Sequence, residues 1–330
     1  MNEEFFIISL MESDIGITKT NVAELHLISY TENKCSLISS GAIAKKFISG
    51  LNYPGMIFAA ISALSYGIAD FSGGLASRKS PVSAVAAWSQ AVGILIALIA
   101  VPFISGPSPS LQTWLWGAAA GLSGAAGLSF LYQGLAEGRA VIVSPTAALT
   151  GAALPVLFGV LTGERPDPIT WSGVAIALPA ILLLSFERSD KRGAVIKSLR
   201  TGLIAGVGFS GFFILLSRTG EQSGLWPLVA ARSASVPALL LATIIRRKPL
   251  ILNKGSRRAT LFAGTLDMLA NIFYLLAFRS GMLITAVVVT AMYPAPTVIL
   301  QRIVFKEKLS SLRIAGLLLA LTGIALIGLG

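Results

Sequence analysis

The chain has 330 residues, of which 54% are hydrophobic and only 12% are charged. Soluble domains carry about 25% charged residues, so this composition cannot cover a water-exposed surface and excludes an ordinary soluble enzyme. The net charge of +11 does not indicate nucleic-acid binding, because the basic residues lie in short segments between apolar runs rather than among aromatic residues. Lipid is therefore the expected solvent for most of the chain.

Residues suited to metal binding or nucleophilic catalysis are scarce. Cys35 is the only cysteine and His26 the only histidine, and both precede the first long apolar run. The sequence therefore predicts no disulfide, no metal site, no cofactor and no Ser-His-Asp triad in the apolar body. It also contains no Gly-x-x-x-x-Gly-Lys-Ser/Thr phosphate loop, so we expect no ATP hydrolysis by this chain.

The N-terminal segment 1–54 has a different character from the rest. It mixes acidic and basic side chains without a long apolar run, and it lacks the basic start and apolar stretch of a secretory signal peptide. An upstream start codon is the simplest explanation for it. We expect this tail to be poorly ordered and assign it no function.

From Met56 onward, apolar stretches of about 20 residues alternate with short polar segments. A helix of that length crosses the ~30 Å of bilayer hydrocarbon, and the alternating pattern of a membrane β-barrel is missing. The sequence therefore predicts an all-α membrane protein with ten transmembrane helices. Their approximate bounds are 56–77, 82–103, 112–136, 140–162, 168–186, 201–218, 225–245, 260–279, 282–304 and 310–329.

The two halves of the apolar body repeat each other. A shift of 143 positions matches Glu164 to Glu307, and each glutamate is followed nine residues later by a glycine. With five helices per half, the second half enters the membrane from the opposite face, which is the inverted repeat of many secondary transporters. We predict a first repeat over 55–187, a basic linker over 188–200 and a second repeat over 201–330.

The distribution of basic residues predicts an orientation. Loops after odd-numbered segments carry most of the lysines and arginines, including the cluster at 246–258, whereas loops after even-numbered segments carry only Arg165, Arg218 and Arg279. The positive-inside rule then places the odd loops in the cytoplasm and both termini outside. The expected location is the inner or plasma membrane, crossed several times.

Four short motifs carry a resemblance to a known family: Gly163-Glu164-Arg165, Lys306-Glu307-Lys308-Leu309, Tyr293-Pro294 and Arg232. With these motifs arranged in two five-helix repeats, residues 55–330 resemble the EamA-type permeases of the drug/metabolite transporter superfamily. The resemblance implies movement of small metabolites, often amino acids or related compounds, without ATP hydrolysis. The pattern departs at Gly151 and Trp88, which stand where a proline matching Pro294 and an arginine matching Arg232 would fall.

Asp267 is the leading candidate for a functional side chain, because an ionisable group within a span costs about 2.5–3.5 kcal/mol to insert. Asn271 and Tyr274 follow it at spacings of four and three, so the three side chains share one helix face and indicate a polar cavity. Asp267 would bind a cationic group of the substrate or exchange a proton. The alternative is a structural partner for Arg232, which would itself bind a substrate carboxylate or neutralise a buried acid.

A second set of candidates follows from polar and aromatic residues in other segments. Asp70 lies in the last third of the first segment, where it would bind substrate or exchange a proton. The alternative is a structural contact near the membrane interface. Trp88, Gln90 and Tyr293 are further candidates for contact with a substrate.

Two prolines and two glutamates invite separate interpretations. Pro145 and Pro294 each remove a helical hydrogen bond, which predicts a hinge, free carbonyl groups facing a cavity, or a kink needed only for packing. Glu164 and Glu307 are expected to accept hydrogen bonds from backbone amides at the start of the following helix.

The sequence as a whole favours a secondary active permease that exports a small metabolite by alternating access, with protons as the candidate coupling ion. Glycines spaced by four at 117–121 and 202–206 permit close helix contacts and leave a homodimer open without identifying one. The alternatives are a membrane-embedded enzyme, with Asp70 and Asp267 as paired acids, and a non-transporting receptor or scaffold.

Overall fold

A computed structural model describes residues 54–104, 106, 108–137, 140–183, 192–220, 222–305 and 311–329. Within these ranges the chain is helical and contains no strand. The predicted tail lies outside the described residues except for Pro54, which begins the first helix. The predicted linker at 188–200 is described only from residue 192, and Glu307 is not described.

The helices follow one another with short connections. They are α1 (Pro54–Ser77), α2 (Val82–Ala100), α3 (Leu111–Ala136), α4 (Ala140–Leu161), α5 (Pro168–Leu183), α6 (Arg192–Ser217), α7 (Trp226–Ile245), α8 (Lys254–Arg279), α9 (Leu283–Thr290), α10 (Pro294–Phe305) and α11 (Ser311–Leu329). A single 3₁₀ turn, Val101–Phe103, extends α2.

Seven of these helices, α1 to α4 and α6 to α8, are long and apolar enough to cross a membrane. The remaining apolar helical segments, Pro168–Ile181, Leu283–Thr297 and Ile314–Ile327, are shorter and coincide with the fifth, ninth and tenth predicted spans. The prediction of an all-helical membrane protein is therefore confirmed. By length and composition, seven of the ten predicted crossings are supported.

The repeat seen in the sequence is also a repeat of helices. The helices that begin at Leu111, Ala140 and Pro168 have counterparts that begin 143 residues later. The most extensive packing joins the two halves: α1 lies along α8, α3 and α4 along α6, α2 along α7, and α5 along α11. Each half therefore buries its contact faces chiefly against the other half.

Small residues make this packing close. A Cβ atom added to Gly121 on α3 would lie 2.0 Å from the carbonyl oxygen of Ala231 on α7, and one added to Gly206 on α6 would lie 2.5 Å from Thr150 on α4. The Ser62 hydroxyl donates to the carbonyl oxygen of Ala270 at 2.8 Å, joining α1 to α8. In lipid, such close contacts and side-chain hydrogen bonds hold helices together. The spaced glycines at 117–121 and 202–206 thus serve contacts within the chain.

The ninth predicted span is broken at its centre. The amide groups of Met292 and Tyr293 bond to carbonyl groups three residues earlier, and Pro294, which has no amide hydrogen, begins α10. At the equivalent position of the first half stands Gly151, and α4 runs unbroken although it contains Pro145. The break at 291–293 is therefore a property of one half only, and it lies beside the cavity described below.

The connection after α4 reaches across to the other half. The Glu164 carboxylate accepts hydrogen bonds from the backbone amides of Leu283 (2.8 Å) and Ile284 (3.0 Å) at the start of α9. The prediction that Glu164 binds the start of the next helix in the chain, α5, is therefore wrong, because it binds the start of α9. Asp167 caps α5 instead, accepting from the amide of Thr170 at 2.9 Å. The equivalent bonds of Glu307 lie outside the described residues.

Candidate functional site

A central cavity lies between helices of both halves, about midway along α8. The empty space within it and its open mouth together is about 580 Å³. Its lining comes from α1 to α4, α6 to α8 and the break between α9 and α10. The residues that line it are Tyr66, Asp70, Gln90, Gly124, Leu128, Ala147, Ala148, Gly151, Phe209, Phe212, Phe213, Arg232, Asp267, Asn271, Ala291 and Tyr293.

A buried ion pair forms the most polar part of this lining. The Arg232 guanidinium on α7 donates to a carboxylate oxygen of Asp267 on α8 at 2.7 Å, and the two side chains are 4% and 9% exposed. Gly93 on α2 leaves room for the guanidinium, because a Cβ atom there would lie 3.1 Å from its Nε. The Asn271 amide donates to the carbonyl oxygen of Asp267 at 2.6 Å. Arg232 and Asp267 thus form an ion pair with each other.

Asp70 is the second carboxylate of the cavity, and it differs from Asp267 in its hydrogen-bond and ion-pair partners. Its side chain lines the cavity and the residue is 6% exposed. Among the described residues it has neither a hydrogen-bond nor an ion-pair partner, although its charge interacts with that of Asp267. With all three groups ionised, the described lining holds two negative charges and one positive charge, so the charge of Asp70 is the one left uncompensated.

Two further predicted residues complete the polar wall. Gln90 on α2 accepts a hydrogen bond from the Ser235 hydroxyl on α7 at 3.0 Å. Tyr293, at the break after α9, points its hydroxyl at the carbonyl oxygen of Ser144 on α4 (3.4 Å), and its ring contacts Tyr66 edge to face with ring centres 6.4 Å apart. The structure thus brings six of the eight predicted site residues to one cavity: Asp70, Gln90, Arg232, Asp267, Asn271 and Tyr293.

Trp88 and Tyr274 do not join this group. Trp88 is 47% exposed, and its indole nitrogen donates to the carbonyl oxygen of Leu250 in the connection between α7 and α8, as aromatic residues at a membrane surface often do. Tyr274 is fully buried against Phe213, with ring centres 4.4 Å apart, and it is not part of the cavity lining. The face of α8 that carries Asp267 and Asn271 in the cavity therefore continues, at Tyr274, into the packed core.

An aromatic wall was missed by the sequence reasoning. Phe209, Phe212 and Phe213 on α6 all line the cavity. Their spacing of three and four places them on one helix face, but an apolar face of this kind is equally typical of lipid contact or core packing. Tyr66 was also missed, although it precedes Asp70 by one turn on the same face of α1, a signal that could have identified it.

The chemistry of the site is that of a binding chamber. The lining supplies carboxylate, guanidinium, amide and phenol groups, which can hold charged and polar parts of a solute, beside apolar surface for the rest of it. Within the described ranges, no group of three histidine, cysteine, aspartate or glutamate side chains is placed to hold a metal ion.

Comparisons with known proteins bear on the fold and on the family. One solved crystal structure is similar at a TM-score of 0.62 and 16% identity, over 82% of this chain and 97% of that one, a likeness that concerns the fold. The comparison with curated proteins gave no match. The model of the EamA-like transporter family matches twice, at residues 53–186 and 197–329. The chain is therefore a multi-pass membrane protein with two EamA repeats and belongs to the EamA-like transporter family.

Proposed function

We propose that the protein is a secondary active permease of the cell membrane that exports a small metabolite by alternating access. The observation that carries this proposal is the central cavity, whose lining joins a buried ion pair and a carboxylate without a partner among the described residues to apolar and aromatic surface from both halves. Polar groups of this kind are costly within a bilayer and are typical of solute pathways. Membership of a transporter family is in accord with it.

An inverted relationship between the halves supports the mechanism. Five helical segments per half would turn the second half over relative to the first, and the helices of one half pack chiefly on those of the other. Two halves with opposite orientations can exchange conformations, so that a cavity open to one face of the membrane becomes open to the other. We place the hinge of this exchange at Pro294 and the break after α9, with Pro145 as a second candidate.

Both side chains of the ion pair lie on helices of the second half, so we propose that the pair moves with that half during transport. Arg232 and Asp267 both belong to the second half, and we propose that solute contacts form beside them, at Gln90, Asn271 and Tyr293. The rival function, an enzyme with Asp70 and Asp267 as paired acids, has less support because Asp267 already bonds to Arg232. Coupling to protons is part of the proposal.

Flux into proteoliposomes tests this function. Purified protein is reconstituted, and uptake from a pool of radiolabelled small metabolites is measured with and without an imposed pH gradient. We expect saturable uptake of at least one metabolite, stimulated by the gradient. The control is a preparation of vesicles without protein. Uptake equal to that of protein-free vesicles for every metabolite, by protein shown to be folded, would contradict the proposal.

A further inference from the structure

The charges of the cavity point to the class of substrate, an inference that rests on the proposed function. Arg232 is paired with Asp267 at 2.7 Å, although its buried Nε has no hydrogen-bond partner among the described residues. Asp70 lines the same cavity without a partner among the described residues. We propose that the cavity takes a small organic amine, whose ammonium group binds Asp70 while its apolar or aromatic body lies along Phe209, Phe212 and Phe213.

A positive group is what the cavity lacks. An uncompensated carboxylate in a weakly polar cavity is expensive, because part of its attraction to water is lost and no donor among the described residues replaces it. The charges of Asp70, Arg232 and Asp267 all act at Tyr66, which lines the same cavity. Of these only Arg232 is a cation, and its charge is already paired with that of Asp267. The charge balance of the site is completed by one cation at Asp70.

The ion pair also disfavours zwitterions and anions. An α-amino acid brings a carboxylate together with its ammonium group, and the only cationic side chain in the described lining is Arg232. To bind it, the substrate carboxylate would have to displace Asp267 and leave that buried acid unpaired, which is costly. A plain amine needs no such exchange. The substrate class inferred here therefore differs from the amino acids that the family resemblance suggests.

The aromatic wall suits the remainder of the molecule. Phe212 and Phe213 contact each other edge to face, with ring centres 5.6 Å apart, and add apolar surface to the same lining as the polar residues. Aromatic rings bind flat apolar groups and also attract cations to their faces.

Three compounds with one aromatic body and different charges test the proposal directly. They are 2-phenylethylamine, phenylalanine and 3-phenylpropanoate, which at neutral pH are a cation, a zwitterion and an anion. Binding to the purified full-length protein is measured by titration calorimetry, and flux is measured separately in proteoliposomes. The variants are Asp70→Asn, Asp70→Glu and, as a control that removes an acid outside the cavity, Asp167→Asn.

We expect 2-phenylethylamine to bind at least about tenfold more tightly than the other two compounds. Asp70→Asn should lower its affinity by at least about tenfold, whereas Asp70→Glu and Asp167→Asn should retain binding. Equal or tighter binding of phenylalanine, an Asp70→Asn variant with unchanged affinity, or no binding of the amine at millimolar concentration would overturn the inference. Flux of phenylalanine without flux of the amine would also overturn the inferred substrate class, while leaving the permease function intact. Amine binding without flux of any compound would contradict the permease function alone.

Discussion

Removing the acid of the buried ion pair, by Asp267→Asn, leaves the Arg232 guanidinium buried without its counter-ion. The side chains are 4% and 9% exposed, so water cannot easily replace the lost carboxylate. Asparagine has nearly the same shape as aspartate and keeps the space filled. The variant therefore isolates the loss of charge from a loss of packing, and we expect it to be strongly destabilised.

The structure gives the size of the effect. The bonded atoms are 2.7 Å apart, so the charge centres are roughly 4 Å apart, which corresponds to about 4 kcal/mol of attraction at an effective dielectric constant of 20. Breaking one side of a buried pair costs about 3–5 kcal/mol, in agreement with that figure. In the double variant Arg232→Gln/Asp267→Asn no charge remains unpaired, and we expect it to recover at least half of the loss.

Thermal unfolding of the purified protein in detergent, followed by tryptophan fluorescence, measures these differences. Asp267→Asn should lower the midpoint by on the order of 10 °C, while the control Thr265→Ala on the same helix should shift it by no more than about 2 °C. A single variant as stable as the parent protein, or a double variant less stable than the single one, would refute the reasoning that the two charges depend on each other.

Three further predictions concern the contacts between the halves and the helix ends. Replacing Glu164 with alanine removes the two hydrogen bonds that cap α9. We expect faster hydrogen exchange in the first turn of α9 and a loss of about 1 kcal/mol in the free energy of unfolding. Unchanged exchange would count against these hydrogen bonds. Gly121→Ala should lower the yield of folded protein, because its Cβ would meet backbone at 2.0 Å, whereas Gly151→Ala, with no atom nearer than 3.6 Å, should be tolerated, as size-exclusion profiles would show. The backbone amide of Thr170, above all, lowers the pKa of Asp167 from its ordinary value of 3.8. The stabilisation by this cap is therefore complete above about pH 4 and lost as the pH falls below 3.8, so the difference in unfolding midpoint between parent and Asp167→Asn should shrink on acidification; a constant difference would exclude the cap as its cause.

Composition and segment length were sufficient to predict the helical membrane class, and residue matches at a fixed shift were sufficient to predict the repeat. A helix that spans lipid must bury its own hydrogen bonds and present apolar side chains, so each span is recognisable without its neighbours. The partner of each helix could not be predicted in this way. Glu164 shows why: its residue type indicates a cap, but only the three-dimensional arrangement brings the start of α9 to it rather than the start of α5.

The polar part of the site was predictable for a similar reason. Ionisable residues are rare in spans, so Asp70, Arg232 and Asp267 stand out one by one. Their division of roles was not predictable, since it depends on which acid lies within hydrogen-bond distance of Arg232. The aromatic wall on α6 was hidden because apolar residues carry the same signal toward lipid, core and cavity. Trp88 was misleading for the converse reason, because its residue type suits a binding site but its side chain is 47% exposed and bonds to the carbonyl oxygen of Leu250 outside the cavity.

Alternating access through the central cavity is the main claim, and thiol labelling at the cavity wall tests it most directly. Cys35→Ser removes the only cysteine, and Gly151→Cys then places a single thiol on the lining with room for its side chain. A membrane-impermeant thiol reagent is applied to the outer or the inner face of oriented vesicles, with and without a transported solute. We predict labelling from both faces, slowed by the solute, in protein that still transports. Labelling from one face only under all conditions, or labelling unaffected by a solute that is being transported, would contradict the account.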